Sequence, residues 1–358
     1  MSAVMDENAS QSESRASQRV AVLVNQGPDF SFEIQSLPSP TVGPREVLVE
    51  LEVTGICGTD LGLAYGYLGK ANSIIGHEGV GRIVSVGSES SKALVGQRVG
   101  VGWLRDSCGS CHPCMRGGET YCGLQIFSGR DVAGTLATLT VVPERYVVAL
   151  PEDLDAVQLA PVMCAGVTAY KALKSSEAIP GSWVAVSGAA GGVGALAVQY
   201  AKAMGYRTIA IDGGERQRQK CLDAGAEIYL DYEKESNLKE AVIRETKGLL
   251  CAAAIVCAGS APAYEAALTC IDYFGTLVCV GIPPPTTKVS FHPLALIDRG
   301  IKIVGSLVGS RADILEAVEF VRRGLVAPKT VTIGLEELNQ HAKKINEIDG
   351  KLVVRLRS

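Results

Sequence analysis

Eleven cysteines and four histidines carry most of the chemistry available to this chain. Four of the cysteines crowd into one stretch, Cys108-Gly-Ser-Cys111-His-Pro-Cys114, followed by Cys122. Two-residue gaps let successive thiolates converge on one tetrahedral ion, and the intervening Gly and Pro supply the turns. Four sulfurs fill the coordination shell of such an ion, which predicts a structural metal with no position left for a substrate. Zinc ranks above an iron–sulfur cluster, because nothing else in the chain asks for electron transfer. His112 lies inside the loop and reads as a surface residue.

Three other candidates are scattered. Cys57 lies in Gly55-Ile56-Cys57-Gly58-Thr59-Asp60, His77 in Gly76-His77-Glu78-Gly79, and Cys164 in Met163-Cys164-Ala165-Gly166. Each taken singly reads as a core residue, and spacing does not connect them. The remaining cysteines (Cys221, Cys251, Cys257, Cys270, Cys279) fall in apolar segments, where a free Cys packs as a small hydrophobe. His292 and His341 carry no motif.

A glycine-rich turn, Ser187-Gly188-Ala189-Ala190-Gly191-Gly192-Val193-Gly194, separates an apolar strand from a helical stretch. Glycines let a pyrophosphate approach the backbone, and a helix N-terminus offers amide donors and a partial positive charge. The next apolar strand ends at Asp212, where a ribose-binding carboxylate is expected. Asp212 would repel a 2′-phosphate, which favours NAD over NADP, while Arg216 and Arg218 soften that preference. The spacing of Gly188, Gly191 and Gly194 makes the first loop one residue longer than the common fingerprint.

The elements that must position these groups follow two rhythms. Short apolar strands at 183–186, 208–211, 228–230, 253–257, 276–280 and 301–304 alternate with helices at 195–204, 215–224, 237–247 and 263–270. That pattern predicts a parallel sheet covered on both faces, a doubly wound dinucleotide-binding domain. Before residue 150, short strands broken by Gly and Pro predict an irregular, mostly antiparallel β domain. A helix at 313–323 and a terminal strand at 351–356 are assigned back to that β domain.

The length of 358 residues suits two domains, and 47% apolar against 20% charged residues excludes a disordered chain. Lys and Arg (34) nearly balance Asp and Glu (38), so no clustered basic face invites nucleic acid or a membrane surface. No apolar run approaches the roughly 20 residues of a spanning helix. Residues 1–18 are polar and acidic, unlike a secretory or mitochondrial leader, and read as a disordered tail. A cytoplasmic, reducing location is therefore expected, which argues against disulfides.

From residue 19 to 358 the chain resembles the zinc-containing medium-chain alcohol dehydrogenases, in particular the fungal tetrameric ethanol-oxidising type. The resemblance rests on the segments around Cys57, His77 and Cys164, the four-cysteine lobe and the glycine turn. It also rests on 201–206 (AKAMGY), 211–215 (IDGGE) and 304–313 (VGSLVGSRAD). It implies an α/β architecture: a GroES-like β-rich catalytic domain over 19–165 and 306–358, and a Rossmann-type doubly wound parallel sheet over 166–305. It implies two zinc ions per chain. One is catalytic, held by Cys57, His77 and Cys164 with a fourth position open; the other is structural, held by Cys108, Cys111, Cys114 and Cys122. Asp60 would hold the His77 ring, Glu78 would sit near the metal, and Thr59 would carry the substrate's proton. NAD(H) would lie against Gly188, Gly191, Gly192, Val193, Gly194, Asp212, Gln217 and Lys351. The implied reaction is hydride exchange with a small primary or secondary alcohol or an aldehyde, in a homo-oligomer (dimer or tetramer).

The chain departs from that pattern in its loops. The family's proton-relay histidine is Gly62, and the pyrophosphate-contacting histidine after the metal Cys is Gly58. The pocket tryptophans correspond to Ala64 and Leu68, whereas Trp103 keeps its place. The family's pyrophosphate arginine is Lys351, a point charge in place of a fork, and the lysine after the ribose-binding Asp is Gln217. Loss of two indoles predicts a substrate bulkier than ethanol. The proton must leave through Thr59, a ribose hydroxyl and water, with Tyr65 or Tyr67 as candidate helpers. A different reading is a non-catalytic dinucleotide sensor or structural protein that keeps the fold and metals. Retention of Cys57, Thr59, His77 and Cys164 argues against it. A zinc-free quinone reductase of the same fold lacks both cysteine sets.

Overall fold

A computed structural model describes residues 17–357. One half is built on six strands: β1 (Trp183–Ser187), β2 (Arg207–Asp212), β3 (Ile228–Asp231), β4 (Cys251–Val256), β5 (Ile271–Cys279) and β6 (Lys302–Gly305). All pair in parallel, in the order β3-β2-β1-β4-β5-β6. On the inner strands side chains are buried on both faces, as at Val184, Val186, Ile209, Ile211, Ile255 and Val256, whereas edge strand β6 is largely exposed. That is why these strands read as unbroken apolar runs rather than alternating ones. Strand order reverses between β1 and β4, the crevice where such sheets bind ligands.

Two boundaries differ from the sequence expectation, each for a local reason. The helix expected from Ala195 spans Gly192–Ala203, because the turn's last glycines already lie in its first turn despite their poor helix propensity. Strand β5 begins at Ile271 rather than at 276. Its pairing with β4 shifts register between Cys251 and Ala253, and Phe274 has φ 59° there. Asp272, Tyr273 and Phe274 at this irregularity are not buried, so the continuous apolar run starts only after them.

The other half centres on strand Glu46–Gly55. It pairs antiparallel with Glu78–Val86, Leu139–Pro143 and Lys351–Arg355. The last of these places Val353 opposite Gly55 and Val354 opposite Thr54, so the end of the chain returns to this sheet. Positions 1–16 of the expected tail lie outside the described residues. Ser17 and Gln18, expected in that tail, instead pair with Pro38 and Leu37 in a hairpin between Ser17–Val24 and Ser31–Pro38. The reason is the alternation of Gln18, Val20 and Val22, which puts Val20 wholly inside the core.

Helix Ala165–Ser175 joins the halves; it is buried along most of its length and packs on Gly192–Ala203 and Arg311–Arg322. Among the described residues no single helix is long and apolar enough to cross a membrane.

Candidate active site and metal centres

The scattered trio converges where the two halves meet. Cys57 is the N-cap of helix Gly58–Ala64, immediately after strand Glu46–Gly55. The neighbouring strand begins at Glu78, which pairs directly with Gly55, so sheet register sets His77 beside Cys57. Cys164 ends a helical turn at Ala160–Met163 and opens helix Ala165–Ser175. Cys57 Sγ lies 3.8 Å from Cys164 Sγ, and His77 Nε2 lies 3.3 Å from Cys164 Sγ.

Asp60 organises the group. Its Oδ2 accepts from the Cys57 backbone N–H at 2.9 Å, and its Oδ1 accepts from Gly76 N–H at 3.1 Å and from His77 Nδ1 at 2.9 Å. A carboxylate on Nδ1 fixes the tautomer and turns Nε2, the remaining ring nitrogen, toward the sulfurs. Gly76 is required for this: its φ is +102°, and a Cβ there would meet Thr135 Oγ1 at 2.8 Å and Leu136 N at 2.9 Å.

The donor atoms of Cys57, His77, Glu78 and Cys164 all lie within 4.8 Å of one another, and all four residues are buried. Two sulfurs, an imidazole and a carboxylate buried side by side call for a cation. Glu78 Oε2 is buried with no hydrogen-bond partner, an orphan acceptor that a cation would satisfy. Hydrogen bonding from Cys164, then Lys351 and His77, hold the Cys57 thiol well below its usual range against the cost of burial. The same contact, with burial, pushes Cys164 up. Burial likewise raises the Glu78 carboxyl to about 7, although Lys351 opposes it.

Lys351 lies between the glycine turn and the buried cluster. Its stem passes the glycine turn, since a Cβ on Gly192 would lie 3.2 Å from Lys351 Cδ. Its ammonium, however, is buried and donates to Glu78 Oε1 at 2.7 Å and to the Ile56 carbonyl at 3.0 Å. An isolated buried ammonium is costly, so it turns to the nearest buried carboxylate rather than to an outer phosphate site. The pairing of Glu78 with Lys351 escapes sequence reading. Its one signal is a cation opening an otherwise apolar terminal strand.

The four cysteines of the lobe form a separate group. Sγ atoms of Cys108, Cys111, Cys114 and Cys122 all lie within 4.8 Å of one another. Backbone N–H groups point at the sulfurs: Cys111 N to Cys108 at 3.3 Å, and Leu124 N and Cys108 N to Cys122 at 3.3 and 3.5 Å. Such donors favour thiolates. His112 is exposed and outside the group.

At the glycine turn, Gly188 has φ +73°, and a Cβ on it would strike Ala258 N at 2.8 Å. A Cβ on Gly194 would lie 2.0 Å from the Gly188 carbonyl oxygen, so helix and turn touch directly. Gly191 and Gly192 are exposed at the helix N-terminus and Val193 is half-buried. Asp212, at the end of β2, accepts from Ala190 N–H at 2.8 Å and from Gly213 N–H at 2.9 Å, which ties strand to turn. Gln217 is half-buried with its Oε1 unpartnered. Arg216 donates to the Glu347 carbonyl at 2.9 Å.

The expected substrate pocket divides. Trp103 stands edge-on to His77 with ring centroids 5.0 Å apart and stacks on Phe127 at 4.7 Å, forming a wall beside the metal ligands. Thr59 Oγ1 lies 3.7 Å from Cys57 Sγ and keeps part of its surface open. Ala64 is a correction: it has no exposed surface and packs in the β-domain core, because helix Gly58–Ala64 turns that face inward. Leu68 is half-buried and covers Gly62, whose Cβ would lie 2.8 Å from Leu68 Cδ1. A Cβ on Gly58 would meet nothing within 4 Å. Tyr65 and Tyr67 stack on each other at 5.4 Å, and Tyr65 packs edge-on against Phe30.

Two family models match the chain: the alcohol dehydrogenase GroES-like domain over residues 43–152 and the zinc-binding dehydrogenase over 192–323. An alcohol dehydrogenase of Geobacillus stearothermophilus is 40% identical over 332 residues, 91% of this chain and 96% of that one. Alcohol dehydrogenase 2 of Emericella nidulans is 36% identical over 356 residues, 94% and 97% of the two chains. The structure of an acetophenone reductase from Geotrichum candidum in complex with NAD matches with a TM-score of 0.83 and 26% identity. That match covers 95% of this chain and 98% of that one. Likeness of this extent, running through both halves, accounts for the fold and for both sulfur clusters at once: the chain belongs to the zinc-containing medium-chain alcohol dehydrogenase family.

Proposed function

We propose that this alcohol dehydrogenase exchanges hydride between NAD(H) and a primary or secondary alcohol bulkier than ethanol, or the corresponding carbonyl compound. The observation that carries it is the buried set of Cys57, His77 and Cys164 with the Glu78 carboxylate beside them, where the lobe has four sulfurs; Lys351 links this set to the glycine turn at Gly192. When bound, zinc would supply a Lewis acid there and NAD the hydride acceptor. Asp60 orients His77, and Thr59 places a hydroxyl beside Cys57, where it can take a proton from a substrate oxygen. Glycines 188, 191, 192 and 194 with Val193 receive the pyrophosphate. Asp212 borders the ribose, and its negative charge, with Arg216 held by the Glu347 carbonyl, supports NAD over NADP.

Support for a larger substrate comes from half-buried Leu68, which by the resemblance stands where the family carries an indole. The solved relative named for reducing acetophenone is consistent with it. Purified protein is assayed by nicotinamide absorbance with ethanol and with aromatic and branched alcohols. The proposal expects kcat/KM at least about tenfold higher for the larger alcohols. Equal values would refute the size reading, and an NADP(H) preference would refute the role of Asp212. Absence of turnover with every alcohol and aldehyde would favour a dinucleotide sensor.

We further place the chain in the cytoplasm as a homo-oligomer. Strand β6 has no outer partner strand among the described residues, and Phe274 and Ile297 nearby are 80% and 73% exposed. Light scattering that returns a monomer at working concentration contradicts the assembly.

A further inference from the structure

The four-cysteine lobe is wired to the far side of the substrate cleft. Ser107 Oγ lies 3.4 Å from Cys114 Sγ and is hydrogen-bonded to the Tyr146 hydroxyl. That hydroxyl donates to Glu119 Oε2 at 3.5 Å. Glu119, buried within the lobe, accepts from Arg311 three times: from its backbone N–H and Nη2, each at 3.0 Å, and from Nε at 3.3 Å. The Arg311 guanidinium also lies 4.5 Å above the Tyr146 ring. A separate tie runs from the Tyr121 hydroxyl to the Gly305 carbonyl at 3.2 Å, at the end of β6.

The lobe therefore grips both ends of segment 305–311, where the chain leaves the parallel sheet for the β domain. Between the grips, Val308 has φ 41°. A β-branched residue in the left-handed region is strained and persists only where its surroundings fix it. Val308 and Gly309 line one small cleft together with Trp103 and Met163, and Glu119 and Arg311 form its wall toward the lobe. Trp103 touches the His77 ring and Met163 precedes Cys164, so this cleft adjoins the metal ligands.

We propose that Glu119 and Arg311 form a latch through which the lobe fixes Val308–Gly309 as a wall of the substrate pocket, so that both are positioning residues for alcohol selectivity. The proposal rests on the reading of the Cys57–His77–Cys164 cleft as the alcohol site. A forked guanidinium–carboxylate pair fixes direction as well as distance. With Arg311 part-exposed its net energy is modest, and its contribution is geometric.

The test compares wild type, Glu119→Gln and Arg311→Lys in the full-length zinc-loaded enzyme. KM and kcat are measured for ethanol and for a bulky aromatic alcohol, with zinc content and Tm alongside. Glu119→Gln is expected to raise KM for the aromatic alcohol about tenfold, with kcat and the ethanol KM within about twofold and zinc content unchanged. Arg311→Lys, which keeps the charge and loses the fork, gives a smaller shift in the same direction, and serves alone if Glu119→Gln fails to fold. An unchanged ratio of the two KM values in an active enzyme overturns the latch and leaves the dehydrogenase reading standing. Activity that falls only in proportion to lost zinc overturns it as well. A wild type inactive on all alcohols and aldehydes overturns both.

Discussion

The two sulfur-rich clusters are built from similar atoms by opposite means. In the lobe, four ligands come from positions 108 to 122, lie partly exposed apart from Cys122, and are held by loop amides. In the second cluster the ligands come from positions 57, 77 and 164, are buried, and are held by sheet register and by Asp60. A local cluster with a full set of sulfurs can only cross-link its loop. A non-local cluster with three strong donors, an orphaned Glu78 oxygen and Thr59 at its edge has room for chemistry. On the proposed reading, a closed set of ligands against one with a position to spare, rather than the sulfur they share, divides the structural from the catalytic metal site.

The comparison is most sharply broken at Cys57. Cys57→Ala is expected to abolish turnover and remove about half the zinc while leaving Tm close to wild type. Metal analysis, circular dichroism and an activity assay read all three, and retained turnover would end the division drawn above. Next, Cys114→Ser is expected to act on stability first. Tm falls by roughly 5–10 °C, and activity is lost only as the protein unfolds; a large loss of kcat at unchanged Tm would place chemistry in the lobe.

Smaller is the effect of Asp60→Asn. The amide can turn one oxygen to His77 or to the backbone N–H groups but no longer satisfies all three, so zinc affinity at the buried cluster should drop about 10–100-fold. Competition with a chelator measures it, and the lobe's zinc should be unaffected. Smallest is Gly62→His. Leu68 already occupies the space of the new Cβ, so the substitution should cost about 1–3 kcal/mol, and Leu68→Ala should relieve most of it. Additive effects in the denaturation of the double variant would show that Leu68 does not cover Gly62.

Legibility followed the same divide. The lobe could be read from spacing, because its geometry is enforced within a few residues. The parallel sheet could be read as well, since strands buried on both faces have no choice but continuous apolar sequence. Ala64 could not be placed. Its assignment to the pocket came from correspondence in a line of sequence, while the facing of helix Gly58–Ala64 depends on what the hairpin and the sheet leave open. Lys351 was recognised as a cation, but its partner was not, because Glu78 reaches it only across strands joined late in the chain.

What the sequence by itself determined is therefore everything whose cause is local: periodicity, turn glycines and the four-sulfur loop. Only the tertiary structure decided which distant groups share one space. Cys57, His77 and Cys164 meet, Lys351 turns to Glu78, and Glu119 reaches Arg311 because strand register and helix packing bring them within a few ångströms. Chain position carries no information about such distances until the sheet closes, since a long connection between two residues restricts their separation only weakly.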